Sequence, residues 1–153
     1  MRLLYFSYGS NMDAARMARR CGPTGLRRWA VAVGYRLHFA KRAEVPGIPD
    51  PGFATLRPDE DALSEGVVYE VTEAQLDAMD RHEGAPEHYM RHPIGLRLVD
   101  GTRIEAVTYL ANPARCADGL KPPRFYLYHF HQASDLLSPG WLAWLRGVET
   151  ADV

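Results

Sequence analysis

The chain has 153 residues, 46% apolar and 24% charged, with 18 basic against 19 acidic side chains. That length fits one domain over residues 1–153, with enough interior to need no metal or disulfide staple. A net charge of −1 excludes wholesale adsorption to nucleic acid or anionic lipid, and no apolar run approaches the ~18 residues of a membrane span.

Residues 3–8 read as a first strand rather than a signal peptide, since they are aromatic and apolar and stop at Gly9. Residues 13–20 can form a short helix stopped by Cys21-Gly22-Pro23. A second strand is expected over residues 30–39, where Val, Tyr and Phe alternate with polar residues. Residues 44–52 gather Pro46, Gly47, Pro49, Pro51 and Gly52, which makes a surface loop long enough to border a site. Residues 53–56 and 66–71 are two further short strand candidates.

Thr72 and Gln75 then form a capping box, with Val71 and Leu76 at the staple positions, so a helix should run to about His82 and stop at Gly84. Strands over 94–99 and 102–110 flank Asp100-Gly101, which favours a type I′ hairpin, with Ile94, Leu96 and Leu98 sharing one face. A third helix should begin near Pro122-Pro123 and carry Tyr126, Phe130, Ala133 and Leu137 on its apolar face. A fourth opens on Ser138-Pro139. Separate strands and helices with an antiparallel hairpin point to the α+β class. Cys21 and Cys116 make neither a disulfide framework nor a zinc spacing, which fits a reducing, cytoplasmic compartment.

Chemistry can sit at two places. The turn Tyr8-Gly9-Ser10-Asn11 joins the first strand to the first helix and leaves backbone N–H groups free. It is either an ordinary capped turn or a cradle for a carboxylate or an oxyanion. It is no phosphate loop and no serine-hydrolase elbow, so Ser10 is not a nucleophile candidate. Glu83 shares a helix face with Leu76 and Met79 and is carried inward at the last turn. There burial and the helix dipole would raise its pKa and suit it to proton transfer. The alternative is a terminal glutamate curling to solvent or pairing with Arg81 or Arg91.

His82, His88, His92, His129 and His131 do not form a zinc motif, because Gly84 and Pro86 break the helix that would align them. Arg16, Arg19, Arg20, Arg27 and Arg28 read as a solvated helix face rather than a nucleic-acid patch. Tyr126, Phe130, Trp141 and Trp144 read mostly as core.

In order along the chain, Tyr8-Gly9-Ser10-Asn11-Met12, then Gly66-Val67-Val68-Tyr69 with Leu76 through Gly84, Tyr89 and Arg91, then Ala106 through Tyr109 with Pro122 and Tyr126-Leu127, resemble the γ-glutamylcyclotransferase-like (AIG2-like) family. The resemblance covers about residues 3–137. It implies a compact mixed β-barrel flanked by helices and a cofactor-independent acyl-transfer or lyase-type enzyme. In that reaction the α-amine of a small γ-glutamyl substrate attacks its own γ-carbonyl, closing 5-oxoproline and releasing an amine. By the family motif Glu83 would be the catalytic acid/base, Tyr8, Gly9, Ser10 and Asn11 would hold the γ-glutamyl group, and Tyr126 would line the pocket. It implies that no cofactor or metal is required, beside the expectation from charge and hydropathy of no nucleic-acid and no membrane partner. Two positions depart from the family pattern: Pro123 stands where serine is usual, and Gln132 where glycine is expected before Ala133, placing a polar side chain near the pocket wall. The alternative on the same fold is a non-catalytic module that binds a small γ-glutamyl or carboxylate ligand.

Overall fold

The structure is a computed structural model that describes residues 2–152. Five strands close into a barrel in the order β1-β3-β2-β4-β5. They are β1 (Arg2–Ser7), β2 (Arg28–Arg42), β3 (Gly52–Thr72), β4 (Tyr89–Leu98) and β5 (Arg103–Ala111), with helices α1 (Ala14–Cys21), α2 (Glu73–Glu83), α3 (Arg124–His131) and α4 (Pro139–Arg146). All neighbours are antiparallel except β1 and β5, whose parallel pairing at Tyr5 and Val107 completes the closure. The expected mixed barrel with flanking helices is therefore present. No helix among the described residues is long and apolar enough to cross a membrane.

The two short candidates at 53–56 and 66–71 are the ends of one strand. β3 runs for 21 residues against the 15 of β2. The stretch between them, Arg57-Pro58-Asp59-Glu60-Asp61, is polar and carries a proline, so it hides strand periodicity. Arg57 and Pro58 pair with Arg36 and Tyr35 of β2, pairing resumes at Leu63 opposite Val33, and residues 59–62 are the extra residues of the register shift between those pairs. Gly34, at φ +86°, lies opposite the shift.

The β4–β5 hairpin forms where expected and Ile94 and Leu96 share its buried face, but Ile94 lies opposite Ala106 and Leu96 opposite Ile104, one residue off the register that a two-residue Asp100-Gly101 turn would set. Its turn is not type I′. Only Gly101 has positive φ, and Gly101 N–H bonds the Leu98 carbonyl while Leu98 N–H bonds that of Thr102. That is a type I turn followed by a left-handed glycine, the three-residue alternative for the same sequence signal.

Thr72 and Gln75 cap α2 reciprocally, and Gly84 ends it in the left-handed conformation. Tyr109 on β5 fixes the helix to the barrel: its hydroxyl donates to Asp80 Oδ1 at 2.6 Å and lies 3.2 Å from the Leu76 carbonyl. Asp80 in turn accepts two bonds of 2.8 Å from Arg91 on β4. Those contacts set where the last turn of α2 ends.

α3 stops at His131, earlier than its apolar stripe suggests. Tighter turns continue the stripe, so Ala133 and Leu137 still reach the core. Pro123 gives α3 no side-chain cap; the Asp152 carboxylate instead takes the Arg124 N–H at 2.8 Å. α4 is capped by Ser138 as its sequence implies. Tyr126 and Phe130 are core, whereas Trp144 is 44% exposed and stacks on Phe39.

Candidate active site

A cleft of about 280 Å³ opens at the end of the barrel where β1 gives way to α1 and α2 ends. Tyr8, Gly9, Ser10, Asn11, Glu83 and Tyr126 all line it, so the structure brings together the six residues expected to act on or hold a substrate.

The turn after β1 is a single 3₁₀ turn, Ser10–Met12, leading into α1. Met12 and Asp13 donate back to the carbonyls of Gly9 and Ser10. The N–H groups of Ser10 and Asn11, first in the turn, have no partner within it. Three anchors hold the turn. The Tyr69 hydroxyl donates to the Asn11 carbonyl at 2.7 Å, the Tyr8 hydroxyl to the Tyr109 carbonyl, and Arg16 Nε to Ser10 Oγ at 3.1 Å. Gly9 packs closely on the far wall: a Cβ there would meet the Tyr126 hydroxyl at 3.4 Å and the Ala54 and Phe130 side chains just beyond, in ordinary van der Waals contact.

Glu83, the last residue of α2, projects into this cleft with its side chain 16% exposed. The buried Asn11 amide donates to Glu83 Oε1 at 3.1 Å and to the Tyr5 hydroxyl at 3.0 Å, while its own Oδ1 is buried without a partner. The amide thus presents donors to the carboxylate. Burial pushes the Glu83 carboxyl above the usual glutamate range, against the opposing pull of Arg20, Arg16, the Asn11 bond and Lys41. Arg20 Nη1 lies 3.7 Å from Oε1. Neither Arg81 nor Arg91 is its partner: Arg91 is committed to Asp80, Asp77 and Glu73.

Arg16 and Arg20 therefore correct the expectation of a solvated arginine face. Spaced by four on α1, they share the side that looks into the cleft, whereas Arg27 pairs with Asp135. No sequence pattern distinguishes a helix face turned to a cleft from one turned to solvent. Lys41 was also missed, because alternation on β2 fades at Phe39 while the strand runs on to Arg42.

Tyr126 accepts the Ala54 N–H at 3.0 Å and stacks on Phe53, ring centroids 4.4 Å apart and planes 7° from parallel. Burial pushes the phenols of Tyr5, Tyr8 and Tyr126 far up, so each keeps its proton. Gln132 does not approach the cleft. It is exposed beyond the end of α3, and its carbonyl accepts Arg27 Nη2 at 3.2 Å. The histidines are dispersed: His129 pairs with Asp13 at 2.8 Å, His88 lies at the cleft beside Gly84, and no group of three His, Cys, Asp or Glu among the described residues could hold a metal ion.

What the arrangement offers is one largely desolvated carboxylate, two turn N–H groups, a protonated phenol and flanking arginines around a pocket of small-molecule size. Such a set can shuttle a proton and stabilise negative charge.

Several solved structures share this fold. One described as a gamma-glutamyl cyclotransferase superposes with a TM-score of 0.89 at 21% identity, covering 100% of this chain and 91% of that one. A human protein described as uncharacterized gives 0.88 at 21% identity, over 99% and 90%. A yeast gamma-glutamyl cyclotransferase described as specific to glutathione gives 0.66 at 15% identity, over 94% and 93%. At such identities the likeness carries the fold alone. No curated protein sequence is a significant match. The family model for gamma-glutamyl cyclotransferase, AIG2-like, matches residues 5–130, and with most of its length inside that match the chain belongs to this family.

Proposed function

We propose that the cleft catalyses intramolecular aminolysis of a γ-glutamyl amide, closing 5-oxoproline and releasing the amine, with Glu83 as acid/base. The observation that carries the reading is the Glu83 carboxylate at the end of α2, held by Asn11 at 3.1 Å in a pocket faced by the Tyr8–Asn11 turn.

The substrate's α-ammonium cannot attack until it loses a proton. Glu83, with its raised proton affinity, takes it. The freed amine nitrogen bonds to the γ-carbonyl carbon, and the carbonyl oxygen becomes an oxyanion. The Ser10 and Asn11 N–H groups and the Tyr126 hydroxyl are the donors available to it. The oxyanion then collapses to the carbonyl as the bond from that carbon to the departing nitrogen breaks and Glu83 gives that nitrogen its proton. The ring nitrogen's second proton passes through the Glu83 carboxylate to the released amine, which leaves as an ammonium. Because nucleophile and electrophile belong to one chain, holding the glutamyl group curled supplies much of the acceleration. Arg16 and Arg20, at the α1 side of the cleft, give the substrate α-carboxylate a positive wall. Every step uses groups of this chain and the substrate.

The test is release of 5-oxoproline, read by mass spectrometry, from γ-glutamyl amino acids, γ-glutamyl amines and glutathione. Release by wild type that Glu83→Gln loses supports the reaction and the assigned base. Ligand binding without release from any of these substrates would favour the binding module instead.

A further inference from the structure

The cleft does not end at the glutamyl pocket. Lys41, Phe53 and His88 line it and also line a neighbouring groove of about 1,070 Å³, bounded by residues 42–51, Arg115 and Leu120. The wall common to both spaces is where a substrate would pass from its glutamyl end to its leaving group.

Lys41 stands on that wall with an unusual balance of charge. It is only 6% exposed, and no carboxylate among the described residues lies within ion-pair distance of it. Its Nζ is fixed by one hydrogen bond, to the Arg42 carbonyl at 2.7 Å, and sits 5.7 Å from the centre of the Tyr89 ring. An ammonium has three donors, so two stay uncommitted. The strongest neighbouring charge is of the same sign, and Cys116 and Glu83 act in the opposite direction without pairing with it. Burial and then Arg115, with Arg42 further down, pull the Lys41 ammonium below the usual lysine value. Lys41 itself is the first cause that holds His88 below the usual histidine value. Glu44 and Asp50 border the groove, yet neither pairs with Lys41. A buried cation with no carboxylate in ion-pair contact is costly unless a ligand brings one.

The glutamyl end has its own cations. Arg16 and Arg20 line the cleft from α1 and do not reach the neighbouring groove, whereas Lys41 lines both. From this geometry we infer that Lys41 is a specificity-determining residue that receives a carboxylate carried by the leaving amine. The enzyme then prefers γ-glutamyl derivatives of amino acids or peptides to those of simple amines. This rests on the cyclotransferase reading and adds to it the chemical class of the leaving group.

Two substrates that differ only by that carboxylate test it: γ-glutamyl-alanine and γ-glutamyl-ethylamine. A charge-assisted bond contributes roughly 1.5–3 kcal/mol, so wild type should favour γ-glutamyl-alanine by about 10- to 100-fold in kcat/KM. In Lys41→Met the ratio should fall to within about 3-fold of one, mainly through KM for γ-glutamyl-alanine, and Lys41→Arg should restore part of it. Equal treatment of the two substrates by wild type, or a proportional loss on both in Lys41→Met, overturns the assignment. Calorimetric binding of both compounds separates the two levels. If neither yields 5-oxoproline but γ-glutamyl-alanine binds about 10-fold or more tightly through Lys41, the reaction is wrong and the carboxylate site stands. If binding shows no preference either, both fall.

Discussion

The turn that faces the cleft is placed by a backbone crossing that tolerates no side chain. Where β1 ends at Ser7 it passes over Gly66 of β3, and a Cβ added there would stand 2.3 Å from the Ser7 carbonyl oxygen and 2.7 Å from the Phe6 ring. The oxygen belongs to the barrel's hydrogen-bonded backbone and Phe6 is fully buried, so neither can retreat. In Gly66→Ala the end of β1 must move by about 1 Å, an overpacking cost of roughly 2–3 kcal/mol. For a chain of this size each kcal/mol lowers the melting temperature by about 2–4 °C, so a loss of about 5–10 °C is expected. Gly95→Ala is the control: nothing lies within 4 Å of its added Cβ, and its backbone is not left-handed. Thermal denaturation with urea titration reads both variants. Because the displaced strand end carries Tyr8 and Gly9, Gly66→Ala should also weaken γ-glutamyl ligand binding in whatever fraction remains folded. A Gly66→Ala protein that melts within about 1 °C of wild type would refute this account of the crossing.

Two further predictions concern the proton on Glu83. Its pKa is higher in the folded chain than in the unfolded one, so the fold favours the protonated form; that contribution is complete below the unfolded value and is lost as pH rises through the folded one. Glu83→Gln fixes the neutral form and keeps an oxygen for Asn11. It should therefore melt higher than wild type at pH 8 and with wild type near pH 4, and a variant less stable at pH 8 would contradict the sign. In the proposed reaction turnover needs the carboxylate, so its acid limb should follow the raised Glu83 pKa. Removing the nearest cation with Arg20→Met should move that limb to higher pH, whereas a shift to lower pH would mean that Arg20 does not face Glu83 in solution.

What could be read from the sequence was local. The Thr72 and Gln75 cap fixed the phase of α2, and the spacing of 76, 79 and 83 then put Glu83 on the buried side, where it is. Signals that depend on distant partners were weaker. The middle of β3 is polar on both faces and stays in the strand because β2 pairs with it on either side of the register shift. Arg20 meets a carboxylate 63 positions away, and Lys41 meets its cationic neighbour Arg115 across the isolated bridge between Lys41 and Cys116. Asp152 replaces the helix cap that Pro123 cannot supply, a compensation invisible until the chain's end is seen against α3.

The central claim is that Glu83 moves the proton. Its most direct measurement is 5-oxoproline release at saturating concentration of the best γ-glutamyl substrate by wild type and by Glu83→Gln, with the dissociation constant of each protein for that substrate measured in parallel. The account predicts a fall in kcat of about 10²–10⁴-fold with the dissociation constant nearly unchanged. Equal rates from the two proteins would contradict it.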